Sequence, residues 1–132
     1  MKTLKTLVLI GLVSFALYSF TSFVQDEWKV PDKYEKMKNP TDPSVDLDIG
    51  KSLYNKHCKS CHGKEGYGDG TKADEVEGDL GDFSTAEFQA QSDGAIFYKS
   101  YIGRNDMPNY EKKIPDEDDV WLVVNYMRTL GE

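Results

Sequence analysis

Cys58-Lys59-Ser60-Cys61-His62 restricts what this chain can fold into more than any other segment. Two cysteines three apart, with a histidine directly after the second, form the attachment signature of c-type haem. Each requirement has a chemical reason. The two thiols add across the two vinyl groups of one haem. The spacing sets both sulfurs on one edge of a helical turn. The histidine then falls beneath the iron as its proximal ligand. The motif therefore implies one covalent haem c and its iron, with Cys58 and Cys61 as attachment points and His62 as a metal ligand.

Competing uses of the same residues lack their partners. A zinc site built on a Cys-x-x-Cys pair needs a second pair, and the chain has only two cysteines and two histidines. His57 and His62 have the wrong spacing for a Cys2His2 site, because both wrap the same short turn. A thioredoxin-like redox pair needs strands before the motif, and a polar, helix-like stretch precedes this one. A disulfide across three residues closes a trivial loop and stabilises little.

The N-terminus agrees with attachment outside the cytoplasm. Lys2 and Lys5 give a positive start, and an apolar run follows from Leu7 to Phe20. Residues 1–22 read as a secretory signal. The run can also be extended to Val24, 18 residues from Leu7, near the lower limit of a spanning helix. A signal anchor, with residues 7–24 as a membrane tether, therefore stands beside cleavage. Either reading exports the rest of the chain to the periplasm or an equivalent extracytoplasmic space. Without Lys2 and Lys5, 14 basic residues face 23 acidic ones, a net charge of −9. That balance repels nucleic acid and suits redox partners with basic docking surfaces.

Residues 23–45 read as an extended tether before a domain over 46–132. Pro31, Pro40 and Pro43 argue against a continuous helix there. Trp28, Val30, Tyr34 and Met37 are apolar for a free linker, so packing on the domain or on a partner competes with a flexible spacer. The first helix of the domain is expected from Asp46 or Asp48, either of which can cap it. Ile49, Leu53 and Tyr54 mark its apolar side, and Gly50 would let another helix cross closely. Four glycines among residues 63–70 make a loop. No strand precedes it and no Gly-Lys-Ser/Thr ends it, which weakens a phosphate-cradle reading. Ser84-Thr85-Ala86-Glu87 is a capping box opening a short helix to about Gln91. Ser92 caps another helix that carries Ile96, Phe97 and Tyr101 and stops at Gly103. The last helix begins after Pro115, with Asp116 as cap, and Val120, Val123, Val124, Met127 and Leu130 recur at helical spacing.

The second axial position is open, or is filled by Met, His, Lys or Asn. Met107 is the favoured ligand. It lies 45 residues after His62 in an irregular segment, and Pro108 stiffens the backbone behind it. Met127 sits on the apolar face of a helix and reads as core. Met37 is far upstream. His57 reads as a surface residue.

Taken together, Gly50-x-x-Leu53-Tyr54, Cys58-Lys59-Ser60-Cys61-His62-Gly63, Gly66-Tyr67-Gly68-Asp69-Gly70, Met107-Pro108 and the helix from Trp121 to Tyr126 resemble the class I monohaem cytochromes c of the bacterial periplasm. The resemblance runs from about Asp46 to Leu130. It implies an all-α domain of three to five helices packed around one covalently bound haem, with Gly50 and Tyr54 meeting Val123 and Tyr126. Leu80, Phe83, Tyr101 and Ile102 are candidates for haem packing. Arg104 reads either as a propionate partner or as a surface residue. The family often has a proline after the motif whose carbonyl accepts from the proximal imidazole. This chain has none between Pro43 and Pro108. Metal-bound histidine needs such an acceptor, and a backbone carbonyl near Leu80 or Gly81 is expected to substitute. The implied function is one-electron transfer rather than catalysis. A haem c subunit of a larger oxidoreductase and an open-site haem enzyme or gas binder are the alternatives.

Overall fold

The structure, a computed structural model, describes residues 28–131. The expected signal or anchor over 1–22 and the tether over 7–24 lie outside the described residues. Those described contain six α-helical segments and no strand longer than an isolated bridge. In chain order they are α1 (Asp32–Glu35), α2 (Leu47–His57), α3 (Lys59–His62), α4 (Ala86–Gln89), α5 (Asp93–Ile102) and α6 (Glu117–Thr129). The class is all-α, as the sequence implies. The segments outnumber the expected three to five because α1, α3 and α4 are single turns between irregular stretches.

Helix α6 is the axis of the domain. Every residue from Val120 to Met127 is buried, so it is covered on more than one face. Asp116 Oδ1 accepts from the Asp118 backbone N–H at 3.1 Å and starts the helix as its spacing suggests. Helix α2 crosses it at Gly50. A Cβ on Gly50 would sit 2.1 Å from the Leu122 carbonyl oxygen, so the two backbones touch. Tyr54, fully buried, lies one turn on, with its ring 5.1 Å from that of Tyr126. Helix α5 supplies Ile96 and Phe97, and Phe97 stacks on Trp121 at 4.2 Å. Arg128 closes the far end. Its guanidinium donates to Asp93 Oδ1 and to the carbonyls of Gln89 and Gln91, tying α6 to the α4–α5 joint.

Three local expectations are corrected. Ile49 is not on the apolar side of α2 but 44% exposed, because the crossing at Gly50 and Tyr54 turns it outward. Asp46 occupies the cap position in a left-handed conformation, and its side chain makes no capping bond. The cap of α4 is Thr85, whose Oγ1 accepts from the Phe88 N–H, rather than Ser84. The Ser84 hydroxyl and N–H are instead both taken by Asp82 Oδ1.

Residues 28–45 do not hang free. Tyr34 packs on Tyr98 at 4.6 Å, and Gly94 lies so close to the Tyr34 carbonyl that a Cβ there would be 1.8 Å from its oxygen. The Ser92 hydroxyl donates to Glu35 at 2.7 Å. Buried Asn125 on α6 accepts from Asn39 Nδ2 at 2.7 Å and donates to Thr41 Oγ1 at 2.9 Å. A buried amide is costly unless paired, so this exchange fixes where the arm crosses α6.

Replacing Gly50 with alanine tests the crossing. The helix gains about 1 kcal/mol in propensity. Overpacking typically costs about 1–3 kcal/mol, and here the collision is with backbone. Gly50→Ala is expected to lower the denaturant midpoint of the holoprotein, and an unchanged midpoint would contradict the close approach.

Candidate haem site

The attachment turn follows directly from α2. Cys58 joins α2 to the single turn α3, which carries Cys61 and His62. Both cysteines are unpaired thiols. Burial pushes the Cys58 thiol up to about 12. A turn of helix ending at His62 leaves carbonyls without partners. The glycine-rich loop supplies them. The N–H groups of Gly68, Gly70 and Lys72 donate to the carbonyls of His62, Cys61 and Ser60 at 2.9, 3.0 and 2.7 Å. Gly70 must lack a side chain, because a Cβ would lie 2.4 Å from the Ser60 oxygen. The Tyr54 hydroxyl donates to the Gly63 carbonyl at 2.9 Å, linking the loop to the helix crossing.

His62 is buried, and two contacts orient its ring. Nδ1 lies 3.1 Å from the Leu80 carbonyl, the acceptor expected in place of the absent proline. The ring stacks on Phe83 at 4.7 Å. Burial lowers the His62 pKa, partly countered by the Leu80 bond, which favours the neutral ring. With its proton on Nδ1, that ring presents the Nε2 lone pair as a ligand. Two unpaired thiols and one oriented, neutral imidazole on a single turn fit a covalently held haem. They do not fit the alternatives. Among the described residues no group of three or more His, Cys, Asp or Glu could hold a metal ion. Nor do the described residues form the sheet that a thioredoxin-like pair requires.

Met107 comes from a second loop. Gly103 (φ +73°) ends α5, and Asn105 (φ 53°) turns the chain so that Arg104 and Met107 exchange both backbone hydrogen bonds at 2.9 Å. Met107 and Ile102 are partly buried against the core. The Tyr110 N–H returns to the Tyr101 carbonyl at 2.9 Å, and its hydroxyl donates to the His57 carbonyl at 2.7 Å. Asp106 accepts from the Glu77 N–H at 3.3 Å. The Met107 loop is thus fastened to the residue before Cys58 and to the loop that carries Leu80.

The candidates fall into two groups. Leu80 and Phe83 both touch His62. Tyr101 and Ile102 end α5 just before the Met107 loop, with the Tyr101 ring against Phe97 at 5.2 Å. His57 is not a surface residue. It is half-buried with its ring edge on Tyr110, and its Nε2 is buried without a hydrogen-bond partner. Burial, aided by Lys56 and Lys113, keeps it below the ordinary imidazole range. Such an orphaned buried nitrogen, one residue before Cys58, is uncommon in a folded domain. Tyr110 and Asp106 were not singled out in the sequence. Their proximity to Met107 was the only signal, since their partners are distant backbone groups.

An all-α domain with a Cys-x-x-Cys-His turn and a loop-borne methionine defines a c-type haem protein. The family model for cytochrome c matches residues 47–131, and the chain belongs to that family. It carries one covalent haem c with its iron, and its chemistry is haem-based electron transfer. No curated protein matches the chain.

Gly70→Ala should displace the attachment turn at a cost of about 1–3 kcal/mol and reduce covalent haem content, read as the pyridine haemochrome after acid–acetone extraction. Gly78→Ala is the control, because a Cβ there meets nothing within 4 Å. Equal haem content in the two variants would refute the role given to Gly70.

Proposed function

We propose that this protein is a one-electron carrier acting outside the cytoplasm, with Cys58 and Cys61 attaching the haem and His62 and Met107 as axial ligands. The observation that carries the reading is the hold of the Leu80 carbonyl on His62 Nδ1. It fixes the tautomer and ring plane that an axial ligand needs. When bound, haem c supplies the one-electron couple. Met107, a soft thioether on a doubly bonded turn, favours the reduced iron and raises the potential. With both axial positions filled by side chains there is no place for a substrate, which supports a carrier over a catalyst.

The surface supports basic partners. A groove of about 610 Å³ beside Leu80 is lined by Asp74, Asp79, Asp82 and Glu87, with no lysine or arginine in its wall. It adjoins the residue that orients His62, so a partner docked there approaches the proximal side. Trp28, Tyr34 and Met37, apolar enough to suggest docking into a larger complex, are engaged within this chain.

Met107→Ala in the holoprotein is expected to abolish the near-infrared methionine-to-iron(III) charge-transfer band and to admit carbon monoxide. Rapid carbon monoxide binding in the wild type would instead indicate an open site. Electron exchange with a basic redox protein should slow by at least about tenfold from low to physiological salt. A salt-independent rate would remove the acidic docking proposal.

A further inference from the structure

At Trp28 the arm lies against the loop that carries Met107. Trp28 lies beneath the Arg104 guanidinium, 4.7 Å from the ring centroid. Arg104 is the residue whose N–H and carbonyl are both paired with Met107. The position of Trp28 is not left to chance. Tyr34 on Tyr98, Glu35 on Ser92, and Asn39 and Thr41 on Asn125 anchor the following stretch at several points across α5 and α6. The close approach of the Tyr34 carbonyl to Gly94 leaves the arm little freedom to slide.

From this geometry we infer that the arm is a positioning element for the sixth ligand: Trp28 clamps Arg104, and through the Arg104–Met107 pairing it holds the thioether in place. The inference rests on Met107 being that ligand. The loop needs an outside hold. Its turn uses a left-handed Asn105, and Asn105, Asp106, Pro108 and Asn109 are all exposed, so little apolar burial fixes it. The Asp106–Glu77 and Tyr110–His57 bonds fasten two other points of the loop. Trp28 adds the hold at Arg104.

The test uses the full-length holoprotein and free imidazole, which competes with Met107 for the iron. A cation–π contact at a half-exposed site corresponds to about a 2- to 5-fold change in an equilibrium. Trp28→Ala should therefore bind imidazole about 2- to 5-fold more tightly. Amide exchange at Arg104 and Met107 should speed up by a similar factor. Trp28→Phe, which keeps a ring face, should fall between. Arg104→Gln removes the cation but keeps the backbone pairing, and serves if Trp28→Ala does not fold. Its effect and that of Trp28→Ala should not add in the double variant. Unchanged imidazole affinity overturns the inference whatever the amides do, as does exchange that accelerates equally throughout α6. Failure of the ligand assignment looks different. Met107→Ala would keep its charge-transfer band, while the Arg104 and Met107 amides would still respond to Trp28.

Discussion

Three backbone donors in the glycine-rich loop hold the attachment turn together. A helix that stops at His62 leaves carbonyls that must find partners, because each buried unpaired polar group costs about 1–3 kcal/mol. Gly68, Gly70 and Lys72 satisfy those of His62, Cys61 and Ser60. The loop can approach that closely only where side chains are absent, as the 2.4 Å contact a Cβ on Gly70 would make demonstrates. The same loop then continues to Leu80, whose carbonyl returns to His62 Nδ1. One stretch of chain therefore caps the turn that bears the cysteines and orients the histidine. A proline is not needed for this, since any residue offers the carbonyl and only the path of the loop decides where it points.

The second half of the site is fastened by residues that precede the stretch matched by the family model. The family match begins at residue 47, yet Trp28 reaches the Met107 loop and Asn39 and Thr41 reach the middle of α6. The polar exchange around Asn125 is a more specific fastening than apolar packing would be. Its donors and acceptors pair in one register only.

What was legible in the sequence tracks how local each cause is. The Cys-x-x-Cys-His turn, the Asp116 cap, the Ser92 cap and the glycine at the helix crossing each depend on residues within one or two turns, or on a size requirement that only glycine meets. The histidine's acceptor was expected near Leu80 or Gly81 because the resembled family's proline is missing, and it is the Leu80 carbonyl. Residues whose environment is set by distant chain were misread or missed. Ile49 looked apolar-faced by spacing, but the angle of the α2–α6 crossing turns it out to 44% exposure. His57 looked like surface until Tyr110 arrived from 53 residues away to cover it. Arg128 reads as an ordinary basic residue near a helix end, and its four bonds to Asp93, Gln89 and Gln91 depend on a joint no short window contains.

The domain is also uneven in what supports it. Helices α2, α5 and α6 bury Tyr54, Ile96, Phe97, Val120, Val123 and Val124 almost completely, and they form a core from side chains alone. Residues 67–82 contain no buried position. Ordering a residue costs about 1–2 kcal/mol, and a hydrogen bond returns about 1 kcal/mol net. The segment is therefore held by where its bonds go rather than by burial of its own, and three of its N–H groups donate to the attachment turn. The helices thus set where the attachment turn stands, and the loop that orients His62 takes its own place from that turn.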